Sequence, residues 1–167
     1  DVEGRVLLTE HEDFLLYNIY FPNGQKDETR LKYKLDFYDD LLPIINEQVE
    51  SGSNVIVAGD WNTAHYPIDL ARPKENVKTS GFMPIEREKL DDYVNDGWTD
   101  TFRLFNNEPE KYSWWSYRMG ARARNVGWRI DYFFVNSDFS DLCKNADIHQ
   151  DVMGSDHCPV SLELDLQ

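Results

Sequence analysis

A short, uninterrupted apolar run is the feature that most constrains the fold of this chain. Residues 54–59, NVIVAG, follow the turn sequence Ser-Gly-Ser. An apolar run of this length between turn residues is typical of a strand that is buried on both faces. The run therefore predicts an interior strand, and it places Asp60 and Asn62 at the carboxyl end of that strand.

Apolar and aromatic patterns predict the other strands. Residues 5–8 and 14–21 are apolar and aromatic runs separated by polar residues, and together they indicate a hairpin that ends at residues 22–24, Pro-Asn-Gly. Further strands are expected over residues 130–135 and 160–166. The last of these alternates apolar and acidic residues, as a half-exposed strand does.

Two helices are predicted between these strands. Apolar side chains spaced by three and four residues from Leu31 to Val49 form one helical stripe, and Pro43 is expected to kink or fray it. A second helix is expected over residues 84–95, closed by Gly97. Strands mixed with two long helices favour sheets covered by helices, an α/β or α+β layering.

Length and cysteine content restrict the class of protein. The 167 residues suit a single domain, and no apolar run approaches the roughly 20 residues of a membrane helix. The two cysteines, Cys143 and Cys158, lack Cys-X-X-Cys spacing, so neither a zinc knuckle nor a disulfide framework is indicated and a reducing, cytoplasmic compartment is expected. Because the first residue is Asp1, we expect a trimmed start or a part of something longer.

The charge of the chain is strongly negative but unevenly distributed. With 31 acidic and 17 basic residues the net charge is −14, which argues against binding of phosphate backbones by bulk attraction. Residues 111–130 hold five basic residues and no acid, and the other 12 basic and 31 acidic residues give the rest of the chain a net charge of −19. The five are Lys111, Arg118, Arg122, Arg124 and Arg129.

Aromatic residues are interleaved with these basic residues. They are Tyr112, Trp114, Trp115, Tyr117 and Trp128. Such a mixture can stack on bases or sugars while it neutralises phosphates. The alternative is that the tryptophans are core anchors and the arginines pair with the acidic surface, and composition favours neither interpretation.

Acidic side chains stand at three predicted strand ends. Asp60 and Asn62 are two residues apart on extended chain, so their side chains face the same way. Asp131 begins a later strand, and Asp156 with His157 precedes the last one. Carboxylates with one histidine suit Mg²⁺ or Mn²⁺ and phosphate chemistry. Taken singly, each has a structural alternative, because Asp and Asn commonly cap turns and a lone histidine is commonly a hydrogen-bonded structural residue.

Four motifs together carry a family resemblance. They are YFPN at 20–23, GDWN at 59–62, NVGWRIDY at 125–132 and GSDHCP at 154–159. In order and approximate separation they resemble the exonuclease III/AP endonuclease family of the endonuclease/exonuclease/phosphatase superfamily. GDWN and GSDH alone would admit inositol phosphatases or sphingomyelinases, whereas NVGWRID with its aromatic neighbours is similar to the DNA repair branch. The resemblance implies one domain over residues 1–167, a truncated form of the four-layer α/β sandwich of the DNase I-like superfamily that keeps the C-terminal two-thirds.

The resemblance implies catalytic roles for five side chains. His157 matches the family's active-site histidine and Asp131 the carboxylate that holds it. Asp60 matches the aspartate that orients or deprotonates the attacking water, and Asn62 its companion amide. Tyr20 matches a phosphate-side tyrosine. Physically, an aspartate beside the histidine fixes its tautomer and favours the charged imidazolium, which can neutralise a phosphorane.

The resemblance also implies a metal site and a DNA surface. Asp156 matches an acid of the metal site, where Asp60 and Asn62 are further candidate ligands for Mg²⁺ or Mn²⁺. Trp114, Trp128 and Ile130 match positions that line a pocket for a base-free sugar, which excludes a sugar that keeps its base. The other expected DNA contacts are Arg118, Arg122, Arg124, Trp115 and Tyr117.

A divalent-metal-dependent DNA phosphodiesterase of DNA repair is the function that these features predict. It would be an exonuclease on duplex DNA, with cleavage 5′ to abasic sites as a further activity. The family's first strand, with an active-site Asn, and its second, ending in a metal-ligand Glu, would lie before Asp1. The alternatives are a weakened or inactive DNA-binding fragment that needs a partner or a homodimer to complete the metal site, and a phosphatase for small or lipid phosphates.

Overall fold

A five-stranded mixed sheet is at the centre of the computed structural model, which describes residues 2–166. Its strands are β1 (Val6–Glu10), β2 (Leu15–Tyr20), β3 (Val55–Asp60), β4 (Trp98–Asp100) and β5 (Asp131–Asn136). Their spatial order is β1-β2-β3-β5-β4, in which β2 and β3 run parallel and the other neighbours run antiparallel. The predicted hairpin and buried strand are therefore confirmed, with bounds that differ by one or two residues.

The central strand β3 is buried on both faces, as its apolar run predicts. Val55 and Val57 belong to the core on one side of the sheet, and Ile56 belongs to the core on the other side. Gly59 has a φ of +133°, and a Cβ there would lie 2.0 Å from the carbonyl oxygen of Ile19 on β2. The close approach of β2 and β3 at this point therefore requires glycine.

The helices are α1 (Glu28–Glu50), α2 (Pro73–Asn76), α3 (Pro84–Asn95) and α4 (Thr101–Phe105), with short 3-10 helices at Pro67–Asp69, Arg118–Gly120 and Ser137–Leu142. Of these, the two long helices α1 and α3 cover one face of the sheet. The helix α1 makes the crossover that the parallel pair β2 and β3 requires. Tyr38 and Ile45 of α1 pack with Leu90 and Tyr93 of α3 in the core over the sheet. Within residues 2–166, no helix combines the length and the apolar composition of a membrane span.

The helix α1 runs without a break from Glu28 through Pro43 to Glu50, so the expectation that Pro43 would fray it is wrong. Proline lacks the N–H that would bond one turn back. Pro43 lies on the exposed side of α1. The carbonyl that loses its partner there can therefore be hydrated, while the buried positions of the stripe keep the helix packed.

A second, two-stranded sheet packs on the opposite face. It consists of β6 (Cys143–Ile148) and β7 (Val160–Leu164), which run antiparallel. Leu162 and Leu164 of β7 join Ile56 and Val135 in a shared core. The strand over 160–166 is thus confirmed in a shorter form.

Two strands have no counterpart among the predicted elements. One is β4, which has only three residues, and the other is β6, whose sequence CKNADI is half polar. Too short or too polar to form an apolar run, they carry no clear periodic signal. The predicted helix over 84–95 and its closure by Gly97, at φ +89°, are confirmed.

Candidate active site

Three of the predicted site residues lie side by side across the sheet. Tyr20 on β2 is in register with Asp60 on β3, and Asp60 is in register with Asp131 on β5. Because β5 runs antiparallel to β3, its amino end meets the carboxyl ends of β2 and β3 at one edge of the sheet. Registered neighbours point to the same side of a sheet. Strand order therefore brings together residues that are far apart in sequence.

His157 completes this row from a separate loop. Its Nδ1 lies 2.9 Å from Oδ2 of Asp131. Burial alone would lower the pKa of His157, but the hydrogen bond and charge of Asp131, with the charges of Asp60 and Asp156, raise that pKa above its usual value. The arrangement favours a charged imidazolium with a fixed ring orientation.

Asp60 is held by two donors of Asn62. The Asn62 backbone N–H lies 2.8 Å from Oδ1 of Asp60, and its side-chain amide lies 3.3 Å from Oδ2. Burial, and next the charge of Asp131, raise the pKa of Asp60 to about 7. A carboxyl group with a pKa near 7 can both bind and release a proton near neutral pH.

Asn62 itself is fixed by a wider set of contacts. It has a φ of +51°, in the left-handed region that Asn tolerates better than most residues. Its side-chain amide donates to the carbonyl of Phe21 at 2.9 Å, and the amide of Asn23 donates to its Oδ1 at 2.9 Å. Asn23 is not among the predicted site residues. Its place in the YFPN motif is the sequence feature that could have indicated its role.

A cleft of about 610 Å³ opens above these groups. The predicted site residues that line it are Tyr20, Asp60, Asn62, Trp114, Trp128, Ile130, Asp156 and His157. Ile130 is almost fully buried, whereas the two indoles are half-buried and form part of the cleft wall. An apolar wall therefore borders the acidic and imidazole groups.

Backbone hydrogen bonds join the cleft wall to His157. Trp114 forms isolated antiparallel bridges with both Trp128 and His157. The N–H of Trp115 donates to the carbonyl of Asp156 at 2.9 Å, and the two peptide groups of Trp114 and Trp128 bond each other at 2.9 Å. Three loops are thus aligned like short strands. Main-chain atoms make this alignment, and the indole N–H of Trp114 adds a bond to the side chain of Asp156.

Ser113 is a second residue that sequence reasoning missed. Its hydroxyl oxygen lies 3.1 Å from the backbone nitrogens of both Ile130 and Asp131 and accepts from them. The hydroxyl therefore fixes the start of β5, where the aspartate that holds His157 stands. A serine between aromatic residues gives no recognisable sequence signal.

The candidate metal ligands form only part of a site. Burial alone would raise the pKa of Asp156, but the indole N–H of Trp114, 3.1 Å from its Oδ2, contributes to a lowered value. Asp60 and Asn62 could each offer an oxygen, the donor type that Mg²⁺ and Mn²⁺ prefer. Within residues 2–166, however, no three His, Cys, Asp or Glu side chains lie together in an arrangement that could hold a metal ion. The described residues do not fit a complete divalent-metal site.

The basic and aromatic residues of the segment 111–130 lie partly at the surface and partly in the interior. Arg118, Arg124 and Tyr117 are exposed, as a DNA contact requires. Arg129 instead is fully buried, where it bonds Oδ1 of Asp69 at 2.8 Å and Oδ2 of Asp100 at 2.6 Å. Its charge is neutralised inside the protein, so it adds nothing to the positive surface.

Two of the predicted DNA contacts are engaged within the protein. Trp115 is only 2% exposed and belongs to a core cluster, so the interpretation of this ring as a stacking surface is wrong and its role is that of a core anchor. The guanidinium of Arg122 lies over the Trp115 ring and donates to the carbonyls of Gln150, Val152 and Ser155 at 2.6–2.9 Å. Arg122 thereby ties the loop that leads to His157.

Comparisons with known proteins agree with this architecture. Over residues 2–157 the chain matches the profile of the endonuclease/exonuclease/phosphatase family. It is 42% identical to an exodeoxyribonuclease of Bacillus subtilis, over 99% of this chain and 66% of that protein. It is 40% identical to a DNA-(apurinic or apyrimidinic site) endonuclease of Dictyostelium discoideum, over 99% of this chain and 47% of that protein.

A solved structure shows the same fold. The crystal structure of the AP endonuclease LMAP from Leishmania major superimposes with a TM-score of 0.89 and 30% identity, over 100% of this chain and 56% of that chain. The chain thus spans less than two-thirds of the length of each of these relatives. The fold class and the resemblance predicted from the motifs are confirmed. On the match that covers residues 2–157, this chain belongs to the endonuclease/exonuclease/phosphatase family.

Proposed function

We propose that this chain is part of a DNA phosphodiesterase, an exonuclease on duplex DNA that also cleaves 5′ to abasic sites. The observation that supports it best is the pairing of His157 Nδ1 with Asp131 Oδ2 at 2.9 Å beside Asp60, within a cleft bordered by Trp114 and Trp128. An imidazolium, a proton-accepting carboxylate and an apolar wall are what hydrolysis of a phosphodiester next to an extruded sugar requires.

His157 would stabilise the charge that develops on the phosphate. Because its Nδ1 bonds Asp131, the other ring nitrogen, Nε2, is the one that can face a phosphate oxygen. A positive charge in a partly buried site stabilises a phosphorane more than the same charge in water. In this role Asp131 acts as the group that holds the imidazole.

Asp60 would orient the attacking water and accept its proton. The two donors of Asn62 fix both carboxylate oxygens, and a pKa of about 7 makes proton transfer feasible near neutral pH. Tyr20, which is in register with Asp60 and exposed, would contact the phosphate from the β2 side.

The cleft wall would select the substrate. Trp114, Trp128 and Ile130 offer apolar surface for a deoxyribose that has lost its base, with no need for base-edge contacts. The exposed Arg118 and Arg124 would bind backbone phosphates on the flanking DNA. This local positive surface explains how a chain with a net charge of −14 could bind DNA.

A requirement for Mg²⁺ or Mn²⁺ is included in the proposal because of the family. When bound, such an ion would offset charge on the phosphate and the leaving oxygen. Since residues 2–166 provide only part of a metal site, every step above is assigned to this chain's own side chains.

Cleavage of a labelled duplex with an internal abasic analogue tests the proposal. We expect cleavage with Mg²⁺ or Mn²⁺, loss of cleavage in EDTA, and at least about a hundredfold lower rate in His157→Ala and Asp60→Asn. Equal cleavage by the wild type and both variants would identify a contaminating nuclease and overturn the proposal. Faster turnover of inositol or choline phosphates than of DNA would assign the cleft to small phosphates instead.

The alternative function is a DNA-binding fragment with little or no catalysis. It is favoured by one observation, the incomplete set of metal ligands within residues 2–166. DNA binding that depends on Arg118 and Arg124, without cleavage under any divalent cation, would support it over the phosphodiesterase.

A homodimer that completes the site stays a prediction. The edge strand β1 exposes Leu7 and Leu8, which are 60% and 43% accessible, and β2 is its only neighbour among the strands of residues 2–166. Sedimentation of the chain at micromolar concentration measures the oligomeric state. A monomer would exclude the dimer but would leave the proposed chemistry to be decided by the cleavage assay.

A further inference from the structure

Three consecutive backbone carbonyls after β3 each accept a hydrogen bond from a buried side chain. The pairs are Tyr38 with the carbonyl of Trp61, Lys34 with that of Asn62 at 2.7 Å, and Tyr132 with that of Thr63 at 2.9 Å. Tyr38 and Lys34 are four residues apart on α1, so they present neighbouring donors from one face of that helix. Buried side chains therefore hold the main chain of residues 61–63, the segment that follows Asp60 and contains Asn62.

The central carbonyl of the three belongs to the residue with unusual backbone geometry. Asn62 has a φ of +51°, and such conformations persist where surrounding contacts fix them. The Nζ of Lys34 is the donor on this carbonyl. On its other side, Asn62 directs its backbone N–H and side-chain amide to Asp60. A shift of residue Asn62 would therefore move both donors that hold Asp60.

Glu86 fixes the ammonium group of Lys34. The Nζ of Lys34 lies 2.7 Å from Oε1 of Glu86, and both side chains are fully buried. The Glu86 carboxylate also accepts from the hydroxyl of Ser80 at 2.8 Å and from the backbone N–H groups of Gly81 and Met83 at 2.6 and 3.2 Å. A buried ion pair with its remaining hydrogen bonds satisfied has a defined geometry.

The same pair reaches the wall of the cleft. Gly81, whose N–H bonds Glu86, has a φ of +98°, and a Cβ there would lie 3.1 Å from the carbonyl oxygen of Asn62 and 3.2 Å from the Trp128 ring. The 80–83 segment is thus in close contact with both Asn62 and the Trp128 ring of the cleft wall. Movement of Glu86 would be transmitted to the indole as well as to Asn62.

We propose that Lys34, anchored by Glu86, is a positioning residue that keeps Asn62 in the conformation that holds Asp60. The proposal rests on the proposed phosphodiesterase function for its effect on catalysis. Lys34 does not line the cleft and donates to neither Asp60 nor Asp131, although its charge acts to lower the pKa of Asp60. Its direct contact with the site is the hydrogen bond to the Asn62 carbonyl. We expect its loss to change how well the site is aligned more than how tightly DNA binds.

The test removes both charges of the buried pair, so that no lone buried charge is left to unfold the protein. The variant Lys34→Met/Glu86→Gln keeps similar side-chain volumes and lets the glutamine carbonyl accept from Gly81. The matched control is Lys89→Met/Asp39→Asn, which removes an ion pair of 2.6 Å between the same two helices, α1 and α3, at the surface. Thermal unfolding checks that both variants fold cooperatively.

Amide hydrogen exchange of the DNA-free protein gives a readout that is independent of activity. In Lys34→Met/Glu86→Gln we expect the Asn62 amide, bonded to Asp60, to exchange at least about tenfold faster than in the wild type. The Trp61 amide, bonded to the carbonyl of Ile130, serves as reference and should change by less than about twofold. The control variant should change neither. Unchanged exchange at Asn62 would overturn the proposal.

Cleavage kinetics test the catalytic consequence. We expect the kcat of Lys34→Met/Glu86→Gln to fall by about tenfold or more while KM for DNA stays within about twofold. In an Asn62→Gly background, which lacks the side-chain amide but keeps the backbone N–H donor to Asp60, the same two substitutions should lower kcat clearly less than they do in the wild type. Additive losses would show that the pair acts elsewhere and would overturn the proposal. If the wild type does not cleave DNA, the proposed function fails, and hydrogen exchange still decides the role of Lys34.

Discussion

The Nδ1 atom of His157 and the Oδ2 atom of Asp131 lie 2.9 Å apart, although 26 residues separate them in the chain. Asp131 begins β5, and His157 precedes β7 in the second sheet. The pair therefore exists only when the two sheets are packed together. Any change that loosens that packing is expected to affect the imidazole before it affects the central sheet.

Asp131→Asn is expected to lower the pKa of His157 and reduce cleavage. In the wild type the Asp131 carboxylate raises that pKa, so the imidazolium persists to higher pH. Without the charge, the alkaline limb of the pH profile should move to lower pH and the rate should fall by about a hundredfold or more. NMR titration of the imidazole and pH-dependent rates measure both effects. An unchanged titration would show that Asp131 does not set the charge of His157.

Asp60→Asn is expected to stabilise the protein at alkaline pH in EDTA. The pKa of Asp60 is about 7 in the folded state against 3.8 for an unperturbed aspartate, so the folded state binds this proton more tightly. The free energy of unfolding should therefore fall as pH rises from about 4 to 7, by on the order of 4 kcal/mol at most. The substitution removes this loss, because an amide does not ionise.

Urea unfolding of the wild type and Asp60→Asn at pH 4.5 and pH 8 measures the effect. The variant should exceed the wild type mainly at the higher pH, because at pH 4.5 only a small part of the fall has occurred and the folded-state carboxyl group of Asp60 and the amide that replaces it are both neutral. A difference of the same size at both pH values would mean that the stabilisation does not come from the charge of Asp60.

Arg122→Lys is expected to behave as a structural change and not as the loss of a phosphate contact. Lysine keeps the charge but cannot donate to three carbonyls in the fork geometry of a guanidinium. The cleavage rate and the free energy of unfolding should fall, the latter by about 1–3 kcal/mol, with an unchanged salt dependence of DNA binding. Arg124→Met should instead weaken binding and reduce the slope of log K against log salt by about 1.

The opposite pattern would restore the interpretation of Arg122 as a DNA contact. In that case Arg122→Lys would bind and cleave like the wild type, and Arg122→Met would reduce the salt slope. Fluorescence anisotropy with a labelled duplex at several salt concentrations distinguishes the two results.

Trp115→Ala is expected to destabilise the fold by about 3–5 kcal/mol, because the ring is 2% exposed and packs in a core. Tyr117→Ala, at a side chain that is 78% exposed, should change stability by less than about 0.5 kcal/mol but weaken DNA binding by about 1 kcal/mol or more. Chemical denaturation and anisotropy measure the two quantities. Equal stability losses would contradict the assignment of Trp115 to the core.

The sequence predicts where the candidate site residues lie when they stand at strand ends. An apolar run followed by Asp60 and Asn62 identifies the central strand and its carboxyl end together. It cannot tell which of two adjacent residues on extended chain faces the interior. Trp114 faces the cleft and Trp115 the core, and Arg129 is buried between neighbours that line the cleft. Which residue of each pair faces inward is decided by the tertiary fold, and a pattern of only a few residues does not encode it.

Lys34 illustrates a signal that was present but ambiguous. It stands one turn before Tyr38 within the apolar stripe of α1, where a charged residue is out of place. A lysine in a stripe is commonly explained by its long stem reaching water. Its partner, Glu86, is 52 residues away, so only the packing of α1 against α3 reveals the pair.

The main-chain alignment of Trp114, Trp128 and His157 bears on how such a protein can diversify. Because peptide groups hold these loops together, the Trp128 indole can be exchanged for another side chain while the imidazole keeps its place, whereas the Trp114 indole also bonds Asp156. We therefore expect substrate preference to vary at Trp128 separately from the reaction chemistry. A library randomised at Trp128 should yield altered selectivity without a matching collapse in turnover.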